Sequence, residues 1–102
     1  MGSTVEPESM IGHWIYSHEE DTSSGRVFRR SGYPFPPSRG RQEYQLKPGG
    51  ELIATGPGPT DRRLTVQGTW ALEDHTLVLH LPSGDNRLQI VSVEADRLIF
   101  AP

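Results

Sequence analysis

Apolar and polar residues alternate along most of this chain, and the alternation is cleanest in Leu64-Thr65-Val66-Gln67-Gly68-Thr69-Trp70-Ala71-Leu72. Leu64, Val66, Gly68, Trp70 and Leu72 fall on one face and Thr65, Gln67 and Thr69 on the other, the signature of a strand buried on one side. Glu73-Asp74-His75 predicts a turn. Leu77, Leu79 and Leu81 then alternate with Thr76, Val78 and His80 and complete a hairpin. Pro82-Ser83-Gly84-Asp85-Asn86 predicts the next loop. Leu88 and Ile90 resume the inward face, but the apolar positions slip to Val91 and Val93, so a β-bulge is expected near Val91 or Ser92. Glu94-Ala95-Asp96 turns the chain into Leu98-Ile99-Phe100, the last strand.

Upstream, Trp14 and Tyr16 alternate with Ile15 and Ser17 in a first strand, and Val27-Phe28-Arg29-Arg30 forms a weaker second. Gln42, Tyr44 and Leu46 alternate with Glu43, Gln45 and Lys47 before Pro48-Gly49-Gly50, a turn whose glycines supply positive φ. Leu52 to Thr55 is the return strand. Glu6 to Met10 has room for one helical turn, with Pro7 suited to its start. Most connections are short, so sequential antiparallel pairing follows. The expected fold class is all-β: an antiparallel up-and-down meander of about eight short strands, closed into a small barrel that leaves no exposed edge. Two connections are longer, Ser31 to Gly40 with Tyr33-Pro34-Phe35-Pro36-Pro37, and Gly56 to Asp61. Proline lacks the ladder donor, so neither is a central strand and both are candidate functional loops.

The 102 residues make one domain, read as a flexible N-terminal segment over 1–9 and a barrel over 10–102. With 33 % hydrophobic residues before glycine is counted, a fraction below the usual ~45–50 % even after glycine is allowed for, the core must be economical, which suits alternating faces. The absence of cysteine removes disulfides, thiolate nucleophiles and the common zinc sites. Residues 1–10 lack the charge and apolar run of a secretory or transit leader, and no stretch approaches the ~20 apolar residues of a membrane span. A cytoplasmic protein without membrane partners is expected.

The net charge of −3 argues against general nucleic-acid binding. Its distribution is uneven: residues 1–25 hold Glu6, Glu8, Glu19, Glu20 and Asp21 with no Lys or Arg. Residues 26–41 hold Arg26, Arg29, Arg30, Arg39 and Arg41 with no acid.

The pattern resembles the small bacterial lipocalin-like domains. Gly12-His13-Trp14 is similar to the G-x-W with which lipocalins begin, Tyr44 to Gly50 to the strand and turn that follow, and Gly68-Thr69-Trp70-Ala71-Leu72 to their later glycine-tryptophan strand. The resemblance covers Ile11 to Phe100. It implies a barrel far more than an activity. It also implies that Trp14 plugs the barrel floor beneath an arginine from late in the fold, a role for which Arg97 is the candidate, although misaligned. The strands read shorter than in lipocalins, which sets core filling by Trp14, Tyr16, Tyr44 and Trp70 against a deep lipid cavity.

Arg29, Arg39 and Arg41 flank a loop containing Tyr33 and Phe35, and guanidinium beside aromatic faces grips carboxylates, phosphates or stacked rings. Either a bound anion relieves the repulsion among these arginines, or Glu19, Glu20 and Asp21 do. The first functional expectation is a non-catalytic barrel whose open end binds a small anionic or amphipathic ligand through Arg29, Arg39, Arg41, Tyr33, Phe35, Tyr16 and Tyr44, with Arg41 and Arg39 foremost. The alternatives are a protein interaction or self-association module, a homodimer included, and a small cyclase or isomerase using His18, Glu19 or Tyr44 as acid or base. No metal site and no cofactor are expected: His18 to Asp21 would need distant partners, His13, His75 and His80 lack ligand spacing, and Gly56 to Thr60 lacks the lysine of a phosphate loop.

Overall fold

The structure, a computed structural model, describes residues 6–37, 40–57 and 63–102. Eight strands follow a one-turn helix α1 (Pro7–Met10): β1 (Gly12–Tyr16), β2 (Arg26–Arg30), β3 (Glu43–Leu46), β4 (Glu51–Pro57), β5 (Arg63–Glu73), β6 (Thr76–Leu81), β7 (Gly84–Val93) and β8 (Arg97–Phe100). They close an antiparallel barrel in the order β1-β2-β8-β7-β6-β5-β4-β3, with β3 returning to β1. The Pro48–Gly50 turn takes the expected positive φ at Gly49 (86°) and Gly50 (91°). The expected bulge is the register shift between Ile90 and Ser92.

The strand order departs from a plain meander at one place. β2 and β3 are not neighbours, because β1 lies between them and is antiparallel to both, Trp14 pairing with Arg30 on one side and Tyr44 on the other. β2 and β3 therefore run parallel, and no tight hairpin can join parallel strands. Their connection has to return from the Trp14 end of β1 to its Tyr16 end, which is why this interval is long.

Two further expectations are corrected. The strands are not uniformly short, since β5 has 11 residues and β7 has 10, and β7 starts at Gly84 so that only Pro82-Ser83 turns the chain. Nor is burial a simple matter of face. Leu64 is 55 % exposed near the outer end of β5, whereas Val78 is fully buried on the outer face of β6. An Arg87–Glu73 ion pair links β7 to β5 across that strand.

Directly paired residues share a face, so the register itself defines the interior. Trp14, Phe28, Leu46, Leu52, Trp70, Leu77, Leu79, Ile90, Leu98 and Phe100 point inward and, with Met10 from α1, form one buried cluster. At the closed end the Trp14 indole N–H donates to the Met10 carbonyl at 2.9 Å. The Arg30 guanidinium lies 4.0 Å over the Trp14 ring and donates to the carbonyls of Ile11 at 2.7 Å and Ala95 at 3.0 Å. The arginine over Trp14 is therefore Arg30, directly across the β1–β2 ladder, and not Arg97, which pairs with Glu94 at 2.7 Å. The glycine before this tryptophan has a steric reason: a Cβ on Gly12, whose φ is 140°, would sit 1.8 Å from Arg30 Nη1.

Candidate functional site

Two clusters of chemically capable side chains stand on opposite sides of the barrel wall. The first lies outside, where β2 presents Arg29 on the face opposite Phe28. After β1 a single 3-10 turn, His18–Glu20, aims two carboxylates at the arginines. Glu20 receives Arg29 in a fork, Nη2 at 2.6 Å and Nε at 2.8 Å, and also accepts from Ser17 Oγ at 2.7 Å. Arg41, 8 % exposed, donates to both oxygens of Glu19 and to the carbonyls of Tyr16 at 2.9 Å and Pro36 at 2.7 Å. Tyr33 and Phe35 pack edge to face, with ring centroids 5.0 Å apart. Arg29 lies 4.7 Å from the Tyr33 ring centre and Arg41 4.9 Å from that of Phe35.

Arg29, Arg41, Tyr33 and Phe35 thus come together on the outer wall, apart from Tyr44 in the interior, and Glu19 and Glu20 are what relieves the charge. Asp21 accepts instead from the Tyr16 hydroxyl and the Val27 amide. Arg39 lies outside the described residues. What the cluster does structurally is fasten the β2–β3 connection to the barrel wall.

The hydrogen bonds from Arg41 and Arg29 hold the carboxyls of Glu19 and Glu20 down at about 2, below the ordinary 4.5. A carboxyl held low in the folded state stabilises the fold above its unfolded value and loses that contribution as it protonates. Stability should therefore fall between pH 4.5 and about 2, and a Glu19→Gln/Glu20→Gln variant should show a flatter decline. Urea unfolding at pH 5 and pH 2.5 measures both slopes; equal slopes would mean that the two ion pairs do not form.

The second cluster lies inside, at the barrel end opposite α1. A cavity of about 190 Å³ opens there, with apolar walls from Ala54, Leu64, Val66 and Leu81 and polar groups from Gln42, Tyr44 and Asn86. Gln42 is held by its amide donating to the Thr55 carbonyl at 3.1 Å, and a Cβ on Gly56 would come within 2.6 Å of its Oε1. Among the described residues, neither the Tyr44 hydroxyl nor the Asn86 amide has a hydrogen-bond partner within the chain. Phe28 stacks between Tyr16 (5.0 Å) and Tyr44 (5.5 Å) and meets Phe100 edge-on. Burial raises the Tyr44 pKa; Tyr16 is pushed up to about 12, first by burial and then by its bond to Asp21.

One residue at this end was absent from the expected site. Arg26 lies two positions before Phe28 on β2 and pairs with Phe100, so it shares their inward face. The signal was available in the alternation of β2, where Arg26, Phe28 and Arg30 share a side, but a charged residue on an inward face reads as a strand end. Among the described residues there is no group of three or more potential metal ligands, and no helix long and apolar enough to cross a membrane.

This architecture has a solved counterpart. The chain is similar in structure to a lipocalin-like protein from Bacteroides uniformis, with a TM-score of 0.51 over 91 % of this chain and 97 % of that one. The fold is a lipocalin-like barrel. At 13 % identity the likeness concerns architecture alone. No family model and no curated protein matches the sequence. Within the lipocalin-like barrel, the outer arginine cluster is internally neutralised and the open end keeps unspent polar groups beside an apolar wall, so the open end is the better candidate site.

Proposed function

We propose that this protein is a non-catalytic binding barrel whose open end takes a small amphipathic molecule. The observation that supports this reading is the cavity in which Ala54, Val66 and Leu81 face the unpartnered Tyr44 hydroxyl and Asn86 amide. Apolar walls with a few convergent polar groups characterise ligand sites. Its size narrows the choice: an apolar cavity of ~150 Å³ holds a benzene molecule, so about 190 Å³ suits one ring or a short chain. The groups considered for acid–base work are dispersed, since Glu19 is engaged by Arg41 on the outer wall while Tyr44 is inside. Tyr33 and Phe35 already pack on each other and beneath arginines, which weakens the case for a docking face there.

Titration of isotopically labelled protein with benzyl alcohol, followed by amide chemical shifts, tests the reading. Shifts should concentrate at Tyr44, Val66, Leu81 and Asn86. Ala54→Leu, which places three further carbons in the cavity, should remove them. Shifts absent from these residues, or unaffected by Ala54→Leu, would refute the assignment.

A further inference from the structure

We infer that Arg26 is the anion anchor of the open end and that the molecule bound there is a small amphipathic carboxylate. This rests on the open end being a binding site, and goes beyond it by assigning the ligand's charge and the residue that reads it.

The inference starts from what the arginines do. Arg29 and Arg41 are neutralised by Glu20 and Glu19, Arg87 by Glu73 and Arg97 by Glu94. Arg30 carries no ion pair, but its nitrogens donate to backbone carbonyls at the closed end. Among the described residues, Arg26 has neither a hydrogen bond nor an ion pair; its Nε, like that of Arg97, is buried without a partner, but Arg97 has the Glu94 carboxylate on its Nη2 and Arg26 has none. A buried donor left unsatisfied is costly, so an orphaned nitrogen on a cation calls for an explanation.

Position supplies one. The β2–β8 register places Arg26 beside Phe100 on the inward face, one inward step from Phe28 toward the open end. Arg26 stands behind the cavity lining and its charge acts on both Tyr16 and Tyr44, of which Tyr44 lines the cavity. Among the described residues at this end, Asp21 is committed to the Tyr16 hydroxyl and the Val27 amide, and Asp85 is bonded to the His80 ring at 3.0 Å. None of the described residues lining the cavity is acidic.

Guanidinium chemistry supplies the ligand class. A guanidinium carries paired N–H donors in one plane, a fork that fits the two oxygens of a planar carboxylate. The Tyr44 hydroxyl is a further donor, and Ala54, Val66 and Leu81 offer an apolar wall for the remainder of the molecule. A small carboxylate with one ring or a short chain satisfies both halves.

Benzoate and benzyl alcohol share a ring and differ in charge, so paired titrations separate the two levels of the proposal. Benzoate should bind wild-type protein about tenfold or more tightly than benzyl alcohol, moving the same amide signals, as expected for a charge-assisted bidentate contact. Arg26→Gln should bring benzoate down to the level of benzyl alcohol and leave benzyl alcohol within about twofold. Arg26→Lys, which keeps the charge but loses the fork, should fall between. If Arg26→Gln loses its dispersed spectrum, the Lys variant decides: unchanged benzoate affinity there overturns the anchor. Equal binding of the two compounds by wild type refutes the carboxylate inference while the cavity reading stands. Binding of neither refutes both.

Discussion

Trp14→Ala is expected to destabilise the barrel by about 3–5 kcal/mol, the range for deleting a fully buried aromatic side chain. Trp14 has no exposed surface and closes one end of the core. Three losses combine: the packing of the indole, its hydrogen bond to the Met10 carbonyl, and the ring against which the Arg30 guanidinium lies. The last raises the cost, because Arg30 would remain at the closed end beside a void. Trp14→Phe should fall between wild type and Ala, retaining a ring but orphaning the carbonyl. Guanidinium unfolding gives the comparison, and an Ala midpoint near wild type would remove the closed-end assignment.

Gly68→Ala should be a damaging single-methyl change, at about 1–3 kcal/mol or more, as for overpacking where nothing can yield. A Cβ at Gly68 would lie 2.1 Å from the His80 carbonyl oxygen, which is backbone of the neighbouring strand β6. Relief requires β5 and β6 to separate beside Trp70, whose own N–H is bonded to the Lys47 carbonyl at 3.0 Å. Gly56→Ala is the internal control. Its obstacle, Gln42 Oε1 at 2.6 Å, is the far end of a flexible side chain and can rotate away. Thermal unfolding of the two variants should therefore give a large drop for Gly68 and a small one for Gly56; comparable drops would contradict this account of strand spacing.

Most of the fold was legible because a half-buried strand writes itself as alternation. β5, β6 and the bulge after Ile90 all follow from apolar positions and a single slip in their phase. Strand order was less accessible, since pairing depends on what meets across the barrel and not on local pattern. The proline-rich interval after Arg30 marked a long connection without saying that β1 would lie beside β3. The same limit misplaced the partner of Trp14: Arg30 meets it through register, a relation that composition and spacing do not encode. In the candidate site, charge counting found the outer arginines because they are clustered in sequence. It counted Arg26 with them but left it out of the site, because the inward face that Arg26 shares with Phe28 is a matter of register and not of charge.

The insertion of β1 between β2 and β3 also bears on how the barrel forms. From β3 to β8 each strand pairs with its successor, and these contacts close only short loops. The β2–β8 seam is different, since it joins Arg26 to Phe100 and Val27 to Ile99 across nearly the whole chain. Loop-closure entropy makes such a seam the slow contact. The β1–β2 hairpin is consequently expected to dock last, fitting into a curved six-strand sheet already assembled from its C-terminal neighbours. Because Arg26, Phe28 and Tyr16 all arrive with that hairpin, the aromatic and cationic side of the open end exists only once folding is complete.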